Sequence, residues 1–307
     1  MTKTGIRVKG RDRLEAMIRQ EAKFYQCEDY LETTDQPETS YSPLHVVAEM
    51  ASLVTDYRFV STSEKDSSPI ISSAQSVSPS SSTADLSMLS HKATSRKSCF
   101  EVPLVSTWRQ QIHEWIRSVV DALQLDRDTT AVAFSILDRF MAVKSKKSEI
   151  ITREDFQLYS MVSIYISVKM STAFRKLSLK NLVEMSHSQF KPEQITKAEL
   201  EILKEIDWHV NPPTTMTFCN HYLELYSGGN SARIYNSCRY FSDLSLADDF
   251  FISKRSSLIA LGIVLLVMQR EGVPFIESQR FLENLTGLIQ LQSDAFDIIY
   301  QRLESLC

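Results

Sequence analysis

The chain reads as an all-α protein: two consecutive five-helix domains preceded by an N-terminal helix. Three observations predict this. Glycine is scarce, 7 in 307 residues, and folds built on tight turns or phosphate-cradling loops consume glycine. From Ile112 onward apolar residues recur at helical spacing with no sustained alternation. Pro212-Pro213 then divides this periodic region into two sets of helical segments, since proline cannot continue a helix in register. Each set is about 100 residues, a normal size for a small domain, and the matching helix counts suggest a structural repeat without visible sequence identity.

Composition bounds the function. With 43% hydrophobic and 23% charged residues, the chain is ordinary for a soluble globular protein with a sizeable core. A net charge of −4, and more acids than bases in 213–307, give no general attraction to nucleic acid. Cys27, Cys99, Cys219, Cys238 and Cys307 are odd in number and never spaced as CxxC. They read as reduced thiols of an intracellular protein, not as a zinc site or a disulfide framework. The polar, basic N-terminus is not a secretory signal. The longest apolar run, Leu258 to Met268, is flanked by Arg255 and Arg270 and falls short of the about 20 residues a membrane span needs. These features predict no membrane and no nucleic-acid partner, no cofactor, and a location in the nucleus and/or cytoplasm.

Four regions follow along the chain. Residues 1–60 form an N-terminal helical segment, with an amphipathic helix over 11–33 (Leu14, Met17, Ile18, Ala22, Tyr25, Tyr30, Leu31) standing apart from the rest, and a short helix from Pro43 to Val54. Residues 61–98 are serine-rich, without aromatics or a periodic apolar face. Such a segment cannot offset its ordering entropy and is expected to be a disordered linker. It carries Ser68-Pro69 and Ser78-Pro79, minimal targets of proline-directed kinases, with Ser42-Pro43 upstream.

Residues 99–212 are the first domain. Ile112, Trp115, Ile116, Val119, Val120 and Leu123 mark its first helix. Asp128 is placed to cap the second, which carries Leu137-Asp138-Arg139-Phe140. Thr152 and Asp155 fit a capping box for the third, in which Ser160, Ser163, Ser167 and Ser171 permit close helix approach. Ser178 opens a short fourth helix, and Pro192 suits the first turn of a fifth ending before Pro212. Residues 213–307 are the second domain, with helices near Thr214–Tyr226, Ser231–Leu246, Ser253–Arg270, Phe275–Leu288 and Ser293–Leu306.

Chemistry enters through charges in apolar surroundings. Asp138 and Arg139 lie within an otherwise apolar helix, Lys169 closes another, and Glu199 lies in a third. Such charges are costly unless paired, so they mark internal bracing or a surface prepared for a partner. No nucleophile–base set, phosphate loop or ligand cluster accompanies them: the six histidines are dispersed. The chain is therefore expected not to be an enzyme.

In residue order and spacing, the first domain resembles the cyclin box: Trp108-Arg109, Ile112, Trp115, Leu137-Asp138-Arg139-Phe140, Phe156-Gln157-Leu158, Lys169, Glu199, Leu203, Trp208 and Pro212-Pro213-Thr214. The second set resembles the degenerate C-terminal cyclin fold in helix count, and the overall style is similar to the divergent cyclins of diatoms. The resemblance implies a regulatory subunit that binds and activates a cyclin-dependent serine/threonine kinase catalytic subunit and controls cell-cycle progression. It further implies a structural ion pair between Arg109 and Asp138, and a kinase-binding surface of Lys169, Glu199, Met170, Leu203, Trp208, Leu158 and Tyr30. Protein substrates would dock on Trp108, Ile112, Trp115 and Gln157. The chain departs from the family where Lys169-Met170-Ser171-Thr172 replaces the usual lysine, aromatic and two acids, and where Trp108 and Ser118 replace a methionine and an acid of the docking patch. The competing reading is a cyclin-fold scaffold or transcription-related adaptor that activates no kinase. Arg11-Asp12-Arg13-Leu14 matches the destruction pattern Arg-x-x-Leu, and Lys144-Ser145-Lys146-Lys147 is placed in the loop after the second box helix.

Overall fold

A computed structural model describes residues 3–31, 106–226, 232–285, 287–289 and 293–306. Every regular element among them is helical. In order these are α1 (Lys3–Phe24), α2 (Ser106–Ala122), α3 (Asp128–Lys146), α4 (Arg153–Met170), α5 (Leu179–Met185), α6 (Pro192–Glu205), α7 (Thr215–Leu225), α8 (Ala232–Ala247), α9 (Ser256–Arg270), α10 (Phe275–Leu285) and α11 (Ser293–Ser305), with a 3-10 turn at Asp249–Phe251. The expected helix near Pro43–Val54 and the serine-rich stretch 61–98 lie outside the described residues.

The two domains are organised alike. In the first, α4 is the central helix, packed against α3 and α6. Its Ser160, Ser163 and Ser167 are buried, and each hydroxyl donates to a carbonyl on its own helix at 2.8 Å. Small side chains let neighbouring helices approach, and this internal bonding satisfies their polar atoms without partners. In the second domain α9 takes the same place against α7, α8 and α11. At Gly262 a side chain would sit 2.8 Å from Leu303 on α11, so α9 uses glycine where α4 uses serine.

The caps explain most boundaries. Thr152 and Asp155 close a reciprocal capping box on α4, and Ser178 with Asn181 does so on α5. Pro192 opens α6. Asp128, however, does not cap α3. It is the first residue of that helix, and its amide donates to Asp126 at 2.9 Å. Its carboxylate points instead toward Thr217 of the second domain, 3.5 Å away. On the far side Gly287, at φ 84°, takes the left-handed conformation beyond α10, so that helix stops short of the expected Leu288.

The N-terminal helix differs most from expectation. It begins earlier than residue 11, ends at Phe24, and does not stand apart. Leu14 is fully buried in the core of the second domain. Glu21 accepts hydrogen bonds from the Ser257 amide, at 2.9 Å, and from the Ser257 hydroxyl. Arg255 precedes α9 without a side-chain cap, so a carboxylate 236 residues away satisfies the first turn. Burial, opposed by those bonds, raises the Glu21 carboxyl above its ordinary value.

After Phe24 the chain leaves the helix and crosses to the first domain. Tyr30 enters that domain's core. Phe24 stacks on His209 at 4.3 Å, and Arg139 lies 4.9 Å from the centre of the Tyr25 ring while donating to the His209 carbonyl at 2.7 Å. The N-terminal segment thus joins both domains.

At the meeting point sits the ion pair. Arg109 donates to both oxygens of Asp138, at 2.7 and 2.9 Å. Its Nε donates to the Leu246 carbonyl of the second domain at 3.0 Å. The Tyr30 hydroxyl donates to Asp138 at 2.8 Å. Burial opposes charge on Arg109, but Asp138 outweighs it and raises the guanidinium's pKa. Burial, with the Asp138 charge beside it, pushes the Tyr30 phenol well up, so it stays a donor. Nearby, burial lowers His113 to about 4, helped by the charges of Arg117 and Arg109.

Two stability outcomes follow from this node. Asp138→Asn strands a buried guanidinium and should cost about 3–5 kcal/mol, whereas Tyr30→Phe should cost about 1 kcal/mol. Urea unfolding measures both, and an Asp138→Asn loss no larger than that of Tyr30→Phe would contradict the buried pair. His113 is neutral in the folded state and binds a proton far more readily once unfolded. Its contribution is therefore complete above the ordinary pKa of 6.5 and is lost as pH falls toward about 4. Between pH 7 and pH 4, wild type should lose about 3 kcal/mol more than His113→Leu. Parallel acid slopes for the two proteins would contradict it.

Candidate partner-binding surface

The last turn of α4 meets the middle of α6. Lys169 lies in the last turn of α4, and a cation is favoured at a helix C-terminus. Helix α6 buries Ile195, Ala198 and Ile202, and that spacing turns Glu199 toward α4. The Lys169 Nζ lies 2.5 Å from Glu199 Oε1 and 5.0 Å from the centre of the Tyr165 ring. The lysine side chain is 46% exposed and the glutamate 16%. Lysine carries three donors and a carboxylate about four acceptor positions, so both retain capacity for a partner.

Exposed apolar side chains adjoin the pair in sequence and follow the end of α6. Met170 is 56% exposed, Leu200 46% and Trp208 61%. Leu203 is half-buried against the first core. Trp208 is held out by the way α6 ends. Its amide donates to the Leu203 carbonyl at 2.9 Å and that of Asp207 to Lys204 at 3.2 Å, the paired bonds of a Schellman motif. Glycine usually occupies this turn, yet Asp207 and Trp208 take φ of 51° and 60°. Left-handed non-glycine residues cost about 1–2 kcal/mol each, and strain of this kind concentrates where surfaces function.

Behind this surface α6 is fastened to α3. Lys144 is buried and reaches Glu149 and Glu201 at 2.5 Å each. Burial opposes its charge, and the bonds to those two acids more than compensate and raise its pKa. Glu201 also accepts from Tyr159, whose phenol is pushed up to about 12 by burial and the Glu201 charge. Lys147 pairs with Glu205 at 2.6 Å, and Lys146 with Glu28 at 2.8 Å. The Lys144–Lys147 cluster therefore does not form a loop: Lys144 to Lys146 complete α3, and its lysines are engaged in ion pairs. Reading those lysines together with the acids Glu201 and Glu205, four residues apart on α6, was the signal available for this contact.

Two other members of the expected kinase surface lie elsewhere. Tyr30 is buried on Asp138. Leu158 is buried about three turns before Lys169 on α4. Neither side chain is available to a partner in this arrangement. The substrate-docking patch also differs from expectation. Ile112 and Trp115 are core residues, Gln157 is half-buried, and Tyr30, Leu31 and Ile112 line one small cavity. The Trp108 side chain lies outside the described residues.

Among the described residues, no group of three or more His, Cys, Asp or Glu is placed to hold a metal, and no helix is long and apolar enough to cross a membrane. Cys219 and Cys238 are buried free thiols, and Cys27 is half-buried.

Comparisons with known proteins agree with this architecture. Residues 85–211 match the family model "Cyclin, N-terminal domain" and residues 213–307 match "Cyclin, C-terminal domain". The G1/S-specific cyclin-D1 of Mus musculus is 24% identical over 214 residues, covering 68% of this chain and 70% of that protein. Its Xenopus laevis counterpart is 23% identical, covering 68% and 72%. In three dimensions the chain is similar to a viral cyclin from herpesvirus saimiri, with a TM-score of 0.53 at 15% identity, covering 66% of this chain and 87% of that one. With both family models matched in tandem and the boundary between them at the proline pair, the chain belongs to the cyclin family.

Proposed function

We propose that this cyclin is the regulatory subunit of a cyclin-dependent serine/threonine kinase, and that it engages the kinase through the surface where the end of α4 meets α6. One observation carries the reading: a partly exposed, complementary Lys169–Glu199 pair with the exposed Met170 and Leu200 next to its two members in the chain and Trp208 exposed beyond the end of α6. Membership of the family and the cell-cycle names of its relatives support it.

The chemistry assigned to this chain is binding alone. Lys169 can donate to the free carbonyls at the end of a kinase helix, and Glu199 can accept from a backbone amide beside it. Kinases transfer phosphate only when a lysine–glutamate pair of their own is assembled by a movable helix. A protein that binds the assembled state more tightly shifts the kinase toward it, in proportion to that preference. Rigidity on the cyclin side helps, because little entropy remains to be lost on docking. Substrate recruitment through the family's docking patch is not part of the proposal, since Ile112 and Trp115 are in the core.

An exposed ion pair contributes about 0–1 kcal/mol to stability, so Lys169→Ala/Glu199→Ala should fold normally. In affinity purification from cycling cells, wild type should retain a cyclin-dependent kinase and the double variant should lose most of it. Trp208→Ala should weaken binding about tenfold or more. Equal kinase retention by wild type and the double variant would falsify the placement of the surface. Recovery of no kinase by folded wild type would favour the scaffold reading.

A further inference from the structure

A cavity of about 150 Å³ lies where the N-terminal segment and the two domains meet. Arg139 and Cys27 form one side, Thr214 and Thr215 at the start of α7 another, and Lys254 and Arg255 the side before α9. Four cations and two acids line it: Arg109, Arg139, Lys254 and Arg255 against Glu21 and Asp138. Both acids are already committed. Asp138 is held by both arms of Arg109. Glu21 is bound to Ser257, with the charge of Arg255 acting on it. Arg139 and Lys254 remain.

Arg139 is 6% exposed, and its hydrogen bonds go to neutral carbonyls, those of Ser135 and His209. Among the described residues neither it nor Lys254 is paired with a carboxylate. A buried cation without a directly paired anion is costly, and burial, opposed in part by the Asp138 charge, lowers the Arg139 pKa to about 10, which still leaves it charged near neutrality. The cavity is therefore lined by a guanidinium with donor capacity to spare and by several hydroxyls, and on its other side by Lys254, whose ammonium lies 5.1 Å from the centre of the Phe250 ring. The volume corresponds to about five water molecules at ~30 Å³ each, enough for one tetrahedral oxyanion. The two uncommitted positive charges match the −1.5 to −2 or so of a phosphate group at neutral pH.

We infer that this junction is an oxyanion site, which takes a phosphate group between Arg139 and Lys254. The group can come from free phosphate or from a phosphorylated serine or threonine side chain, the contacts being the same. Occupancy would link the N-terminal segment, the Pro212-Pro213 hinge and the approach to α9, and so would stabilise the assembled chain.

The test is titration of the full chain with sodium phosphate at constant ionic strength, followed by calorimetry and thermal unfolding. Wild type should show a saturable response that sodium chloride does not reproduce. Lys254→Gln changes a half-exposed side chain and should weaken phosphate binding about tenfold. Arg139→Lys, which removes the guanidinium fork, should weaken it at least as much; should that variant fail to fold, Lys254→Gln carries the test. A phosphoserine peptide and its unphosphorylated form distinguish the sources. Tighter binding of the phosphopeptide than of inorganic phosphate assigns the site to a modified protein, and binding of phosphate alone assigns it to the free anion. No saturable response, or equal affinity in wild type and Lys254→Gln, overturns the inference.

Discussion

Asp138 is the point at which separately folded pieces become one body. Its two oxygens are bound by Arg109 from α2 and by Tyr30 from the N-terminal segment, while Arg109 also holds the Leu246 carbonyl at the end of α8. A carboxylate buried at this depth is tolerable only because its strongest acceptor directions are filled by charge-assisted and neutral donors together. Helical propensity would form α2 and α3 without it. What the node fixes is their mutual placement and the position of the second domain against the first.

Other polar contacts repeat the same device across the chain. Glu21 reaches from α1 to the start of α9, Arg139 reaches from α3 to the segment before Pro212, and Arg127 lies 3.5 Å from Asp243 across the domain boundary. Hydrophobic burial builds two cores, one in each domain, and it is indifferent to their relative orientation. Directional bonds between elements far apart in sequence supply that orientation. Helix α1 takes part in both modes, contributing Leu14 to one core and Glu21 to a cap.

Legibility in the sequence followed the range of each interaction. Capping boxes, the proline pair and the periodic apolar faces are local, and they located nine of the described helices from α2 to α11 closely, with the shifted end of α10 explained by Gly287. The Lys169–Glu199 and Arg109–Asp138 pairs were proposed from resemblance, because spacing alone cannot say which distant charges meet. The path of the N-terminal segment was misread for the same reason. Its apolar residues give helical periodicity through Tyr30, yet Tyr25 and Tyr30 are drawn out of the helix by partners more than 100 residues away. Asp128 shows a subtler failure: its side chain fits a local cap, but a hydroxyl on another domain competes for it. Trp115 could be read either as patch or as core, and only its burial in the first core decides.

The exposed end of the first domain is hard to account for as a stability device. The Lys169–Glu199 pair is worth little in water. Leaving Met170, Leu200 and Trp208 largely in solvent forgoes about 1.5 kcal/mol or more per side chain that burial would provide. Two consecutive left-handed residues then add strain to hold Trp208 outward. The exposed apolar side chains and the backbone strain lie on the side opposed to folding free energy, while beneath them α6 is anchored by the doubly bonded Lys144. A costly outer face on a firmly fixed support is the arrangement expected when the compensating energy comes from another molecule. The same reasoning separates this surface from the region around Ile112 and Trp115, where apolar area is already spent on the protein's own core.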